Sequence, residues 1–278
     1  MNTLEFSVLV CLVSAVAGYL GALTGLGGGV IITPALTLLF HVDFRYAMGA
    51  TLVSVIATSS GAAAAYVREG FTNIRIGMFL EVATTLGAVS GALLTAKIPV
   101  SALGVIFGVV LLYSAYASSR ARPSDQRLQK PSPLAVRLNL NGSFPGDDGP
   151  RRYFVQGVRA GFALMFGAGA LSGLLGIGSG AVKVIAMDQV MKIPFKVSTT
   201  TSNFMIGVTA AASAGVYLSR GYIDAGLAMP VVLGVLGGSM LGARHLIGSG
   251  TKVLRIVFSV VVGALAVEMI YSGLAGKF

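Results

Sequence analysis

The chain has 278 residues, 55% of them apolar and only 11% charged, with a formal net charge of +10. A charged share so far below the roughly 25% of soluble domains places the chain in a membrane. The basic residues lie between apolar runs rather than on one soluble face, which argues against a nucleic-acid footprint, and the lone Cys11 excludes an intrachain disulfide, a thiolate metal cage and paired-thiol redox chemistry.

Eight apolar runs follow one another at 4–24, 46–67, 74–96, 99–119, 153–175, 197–218, 225–247 and 252–272. Each has the ~20 residues that cross a ~30 Å hydrocarbon core. Ala, Leu and Gly dominate them without the alternation of a membrane barrel strand, so an all-α polytopic fold is expected. The first run lacks a cleavage motif and reads as part of the fold rather than as a removable leader.

Gly25-Leu26-Gly27-Gly28-Gly29 follows the first run and leads into the short apolar segment 29–40. Glycine costs roughly 1 kcal/mol relative to alanine in a helix interior, so the helix should break here. A segment of 12 residues spans about 18 Å, too short to cross alone, which predicts a half-helix or re-entrant element. Its first N–H groups are free and carry partial positive charge, a setting that suits a small anion. Further along, residues 120–152 hold seven basic residues and five prolines and read as a flexible polar linker on the cytoplasmic side.

Beyond that linker the pattern repeats. Gly176-Ile177-Gly178-Ser179-Gly180 stands 151 residues after the first glycine cluster and precedes a second short segment, 180–191. At the same offset Phe44 meets Phe195, Arg45 meets Lys196, Tyr66 meets Tyr217, Gly70 meets Gly221, Gly87 and Gly91 meet Gly238 and Gly242, and Phe107 meets Phe258. Internal duplication in a very apolar chain points to a secondary transporter with its site at the repeat interface. If the short segments count as crossings the repeats are inverted; if they dip in and return, the repeats are parallel. The inverted case puts 14 of the loop Lys/Arg residues on the linker's side and 4 opposite, against 11 and 7 for the parallel case. The positive-inside rule therefore favours inversion, with both termini outside.

Several polar residues break the match between halves. Lys183 stands where the first half has Ile32, and a lysine at such depth lines an aqueous path, finds a partner or snorkels to the interface. Ser198, Thr199, Thr200, Thr201, Ser202 and Asn203 open the next helix where the first half has the less polar stretch Ala47 to Leu52, containing Thr51. Hydroxyls and a carboxamide there fit anion oxygens, or an N-cap with interhelical bonds. Glu81, about one-third along its run, is the candidate for proton coupling, with a salt bridge as the plainer reading. Gly21…Gly25, Gly25…Gly29, Gly87…Gly91, Gly104…Gly108, Gly157…Gly161 and Gly238…Gly242 carry the spacing of touching membrane helices. No catalytic triad, phosphate-binding loop or metalloprotease motif occurs, so an enzyme is not expected.

The segment Gly18-Tyr19-Leu20-Gly21-Ala22-Leu23-Thr24-Gly25-Leu26-Gly27-Gly28-Gly29, followed by Pro34, resembles the TauE/SafE family of sulfite-exporter-like permeases. So do Gly173 to Gly180, Lys196 to Phe204, Gly221-Tyr222-Ile223-Asp224 and Gly238…Gly242. The resemblance covers nearly the whole chain except the linker. Ser179 departs from the family's middle glycine, and Ile185 stands where the first half has Pro34. The resemblance implies movement of sulfite, organosulfonates or related anions, mainly export, across the bacterial inner membrane. The expected organisation is a first transmembrane repeat at 1–119, a linker at 120–152 and a second repeat at 153–278. The expected substrate site comprises Gly25, Gly27, Gly28, Gly29, Thr51, Gly176, Gly178, Ser179, Gly180, Lys183, Thr199, Thr200, Thr201, Ser202 and Asn203. No cofactor or metal is called for. The expected partners are a small anion and the lipid bilayer, with self-association open. A passive anion channel and a membrane scaffold or sensor are the rival readings.

Overall fold

The computed structural model describes residues 3–24, 28–68, 70–119, 132–146, 149–246 and 251–276. The described chain is almost entirely helical, as an apolar sequence in a bilayer must be to pair its own backbone groups. The first half runs α1 (Thr3–Thr24), α2 (Gly29–Phe40), α3 (Phe44–Arg68), α4 (Ile74–Leu94) and α5 (Val100–Ser119). A short α6 (Pro133–Arg137) and a hairpin of β1 (Gly142–Gly146) and β2 (Gly149–Tyr153) follow. The second half runs α7 (Val158–Leu175), α8 (Gly180–Ile185) continued by a π-helical turn (Ala186–Val190), α9 (Phe195–Ser219), α10 (Ala225–Leu246) and α11 (Thr251–Leu274). Among the described residues four helical segments are long and apolar enough to cross a membrane, Leu4–Ala22, Ile74–Leu94, Val158–Leu175 and Ala225–Gly242, and α5 and α11 contribute the shorter apolar stretches Val100–Tyr116 and Ser259–Leu274. Of the eight expected spans, α3 and α9 fall short of that apolarity because Ser and Thr fill their buried faces, including Thr51, Ser54, Ser198, Thr201, Ser202, Thr209 and Ser213.

The 151-residue offset recurs in the backbone. α3 and α9 start at Phe44 and Phe195, α4 and α10 at Ile74 and Ala225, α5 and α11 at Val100 and Thr251. His41 and Lys192 both turn left-handed, with φ of 53° and 58°, and so do Gly70 and Gly221, with φ of 72° and 73°. The packing is reciprocal too: α1 lies on α10 and α4 on α7, while α3 crosses α9 and α5 crosses α11.

Glycine sets two of those contacts. A Cβ at Gly87 or Gly91 would overlap the carbonyl of Phe166 or Ala170, and one at Gly169 or Gly173 would overlap that of Thr84 or Ala88. α4 and α7 therefore touch backbone to backbone. At the matching contact of α1 with α10, Gly234 and Gly238 face the carbonyls of Cys11 and Ala15, and Gly242 faces that of Tyr19. The opposite faces of these helices carry the exposed apolar side chains Leu4, Leu12, Val16, Met78, Val82, Leu86, Met229, Leu233 and Met240, the face a lipid environment requires.

The expected flexible linker needs correction over its described part. Residues 120–131 and 147–148 lie outside the described residues, but 132–146 and 149–153 are folded. Ala135, Leu140 and Tyr153 are buried in one cluster with Ile76 and Leu80 of α4, Met165 of α7, Met187 of the π-helical turn and Met205 of α9. Asn73 holds the hairpin by donating from Nδ2 to the Tyr153 hydroxyl at 2.6 Å, while its Oδ1 caps α4 at the Ile76 N–H. Apolar burial outweighs the turn-forming bias of the prolines, which occupy paired positions Pro145 and Pro150 of the ladder.

The glycine contacts generate a paired test. Gly238→Leu must push α1 and α10 apart and is expected to destabilise the protein by at least the ~1–3 kcal/mol of an overpacked site. Gly237→Leu, at a position with open space around it, should leave stability unchanged. Thermal unfolding of both variants in detergent checks the difference.

Candidate functional site

The second glycine cluster is a true interruption. α7 ends at Leu175; Gly176, Gly178 and Ser179 then adopt left-handed backbone, with φ of 67°, 69° and 42°, before α8 begins at Gly180. Only glycine takes the first two conformations without strain, and Ser179 accepts some. The carbonyls freed at the end of α7 are met from other helices. The Tyr217 hydroxyl of α9 lies 3.1 Å from the Gly173 carbonyl and 3.3 Å from that of Leu174, and Thr95 Oγ1 donates to the Leu174 carbonyl at 3.2 Å. Tyr217 and Thr95 also bond to each other at 3.2 Å. The sequence shows Tyr217 only as a match to Tyr66; its work as a buried cap depends on tertiary placement.

In the first cluster Gly25 and Gly27 lie outside the described residues. Gly28 is right-handed, with φ of −66°, and its carbonyl accepts from the N–H groups of Ile31 and Ile32. The two interruptions come together. A Cβ at Gly29 would meet Thr51 and Val55 of α3 and come within 3.9 Å of Ile177 in the second break. Gly178 in turn faces Val55 and Ile206, and Gly176 faces Met48. Thr51 accepts a 2.8 Å hydrogen bond from the Thr33 hydroxyl of α2, so the first half contributes polar groups to this level of the bundle.

The hydroxyl run at the start of α9 divides into engaged and free groups. Ser198 and Thr200 donate to backbone carbonyls nearby, at Ile193 and at Lys196 or Val197. Thr201 accepts from the Asn73 N–H, and Ser202 donates to the Gly180 carbonyl at 3.3 Å, tying α9 to the start of α8. The buried hydroxyls of Ser179 and Thr199 have no partner among the described residues. The Asn203 carbonyl accepts from Ser59 Oγ at 2.6 Å, and the same hydroxyl accepts from the Gly207 N–H at 2.9 Å, so Ser59 bridges one rung of α9.

Lys183 is fully buried, which long charged side chains almost never are unless paired. Its ammonium donates to Thr209 Oγ1 at 2.5 Å. The Thr209 hydroxyl reaches Glu81 Oε1 on α4 at 2.7 Å, and Thr85 adds a 3.3 Å bond to the same oxygen. Glu81 Oε2 is buried without a partner. Two residues singled out separately in the sequence, Lys183 and Glu81, are thus joined through Thr209, which sequence reasoning missed. The available signal was spacing: Thr209 follows Ser202 by seven residues and shares its helix face. A separate cavity of ≈ 600 Å³ opens between α6 and the start of α7, lined by Ser132, Leu134, Arg137, Val158 and Arg159, away from both breaks.

A polytopic helical membrane protein whose crossings are broken by glycine at one shared level has the build of a membrane permease. The profile of the sulfite exporter TauE/SafE family matches residues 10–269, and the chain belongs to that family. It is 28% identical to "Probable membrane transporter protein YunE" of Bacillus subtilis (strain 168), over 98% of this chain and 99% of the relative. It is 27% identical to "Probable membrane transporter protein YdhB" of the same organism, over 85% and 89%, and 24% identical to "Probable membrane transporter protein MJ0441" of Methanocaldococcus jannaschii, over 96% and 98%. No solved structure matches it significantly.

The cap on the break is open to test. Tyr217→Phe removes the hydroxyl beside the Gly173 and Leu174 carbonyls and is expected to cost about 1–3 kcal/mol, the usual penalty for an unmet buried polar group. Thermal unfolding in detergent against Tyr113→Phe, an exposed tyrosine of α5, reads that cost.

Proposed function

We propose that the protein is a secondary transporter, working mainly as an exporter, of small sulfur-containing or organic anions such as sulfite and organosulfonates. It would act in the bacterial inner membrane by alternating access. In this reading α1–α5 and α7–α11 are two inverted repeats of one ancestral unit, with α1, α3, α4, α5, α7, α9, α10 and α11 as the eight long crossings. The anion sits where the interruptions at 25–29 and 176–180 converge, held by the N-terminal amides of α2 and α8 and by the hydroxyls of Ser179 and Thr199. Lys183 adds a full positive charge to the site, Thr51, Thr200, Thr201, Ser202 and Asn203 complete or shape its walls, and Glu81 carries the coupled proton.

One observation supports this reading most strongly. Ser179 Oγ, beside a left-handed break at mid-bundle, is buried with no protein partner. An unmet hydroxyl costs stability, and a site that binds a polar solute is the natural reason to keep one. The names of two relatives, both probable membrane transporters, accord with a transport role.

Reconstituted protein should accumulate labelled sulfite or ethanesulfonate against its gradient when a proton gradient is imposed; a passive channel would only dissipate the anion's own gradient. Gly178→Leu places a side chain on left-handed backbone 2.8 Å from Ile206 Cγ2 and should reduce flux to the level of empty vesicles, with Gly28→Leu expected to do the same. Normal flux in these variants, with normal insertion, would remove the glycine breaks from the mechanism.

A further inference from the structure

We infer that Lys183, Thr209 and Glu81 form a shared-charge relay that ties uptake of one proton at Glu81 to binding of one monoanion beside Lys183, with Thr209 as the positioning residue between them. The inference rests on the anion site proposed above. It deepens that reading by assigning the coupling to a defined chain of atoms.

The geometry is that of a separated pair. Among the described residues no carboxylate oxygen lies within 4.0 Å of the Lys183 ammonium, so the two charges meet only through the Thr209 hydroxyl. An ammonium has three N–H donors, and Thr209 is the one acceptor it reaches among the described residues. On the other side, Glu81 uses Oε1 twice and leaves Oε2 with none. Both ends are therefore incomplete: donors remain for an anion, and an oxygen remains for a proton.

Charge balance links the two. With Glu81 ionised, the buried pair is neutral overall, and an added anion would leave a net negative charge in the bundle. With Oε2 protonated, Lys183 is a buried cation lacking a counter-charge, a costly state that an anion relieves. Proton and anion thus favour one another, and the coupling is reciprocal. The loaded site is as neutral as the empty one, so the two species cross together without moving net charge, outward wherever the anion's outward gradient exceeds the opposing proton gradient.

Asp188, half-buried in the π-helical turn that continues α8, is a further acid on the elements packed around Lys183 and has an interaction of its own. Arg75 at the start of α4, Arg159 at the start of α7 and Lys196 at the start of α9 are exposed. Lys196 lies over the Phe71 ring, and Arg220, at the far end of α9, donates to the Ala92 and Leu93 carbonyls. Lys183 and Glu81 are the titratable groups that face each other across this level. The relay also has no counterpart in the first half. Ile32 and Val232 stand at the positions matching Lys183 and Glu81, and Thr58, which matches Thr209, bonds only to carbonyls of its own helix. One relay per molecule fits one proton per anion.

The test uses full-length protein in weakly buffered detergent or nanodiscs, with ethanesulfonate as a probe because this strong-acid anion does not itself titrate. Wild type should take up a proton with each anion bound. Glu81→Gln should bind ethanesulfonate without proton uptake, and its affinity should no longer change with pH. Thr209→Val should lose most of the uptake, and Thr209→Ser should restore it. Infrared difference spectra of the wild type alone should show a protonated carboxyl band rising as the probe binds, which keeps the proposal testable if a variant fails to fold. Binding by wild type without proton uptake, or equal uptake in Glu81→Gln, overturns the relay while leaving the anion site standing. Failure of wild type to bind ethanesulfonate, sulfite or acetate removes the anion site, and the relay with it.

Discussion

A helix interrupted inside lipid must have its freed backbone groups met by other helices, because no water is at hand to meet them. The turn at Gly176–Ser179 obeys this requirement through Tyr217 and Thr95, which reach it from α9 and from the end of α4. Much of the remaining architecture follows. α9 must cross the bundle centre to bring Tyr217 there, α3 must cross α9, and the polar faces of both helices are turned inward by the same demand. Their reduced apolarity is a consequence of that position.

Around this centre, close glycine contacts hold the outer helices in pairs. α4 on α7 and α1 on α10 meet carbonyl to glycine, so their separation is fixed by backbone rather than by side chains that can adjust. Such contacts resist local compression but allow a pair to shift as one body. The centre differs in kind. There the Ser59 hydroxyl bridges the Asn203 carbonyl and the Gly207 N–H, and the hydroxyls of Ser179 and Thr199 remain unmet. Tight margins and a polar, incompletely paired middle are the arrangement expected where a solute must enter and leave.

The fold was legible in the sequence to the extent that its signals are local. Apolar run length, glycine density and the repeated offset place the helix starts at 44, 74, 195 and 225 and the interruption at 176–179, because each depends on a few neighbouring residues. The partnership of Lys183 with Glu81 was not legible. It depends on a lysine side chain running back along α8 to meet Thr209, and no spacing rule carries that information. The folded hairpin was masked by composition: five prolines and a run of basic residues suggest a loop. Yet Gly146-Asp147-Asp148-Gly149 has the pattern of a tight hairpin connection, and Leu140 and Tyr153 supply the apolar surface to seat it.

That hairpin makes the molecule mechanically lopsided. Together with α6 it is buried against α4, α7 and α9, clasping one of the two glycine-paired couples at a single end. Among the described residues the segment between the halves forms no such cluster with the opposite couple, α1 with α10. Two matching arms thus meet unequal surroundings, one clasped and one not, so a swing of the bundle would pivot about the clasped arm. The arms are alike; what lies between them sets which one is held.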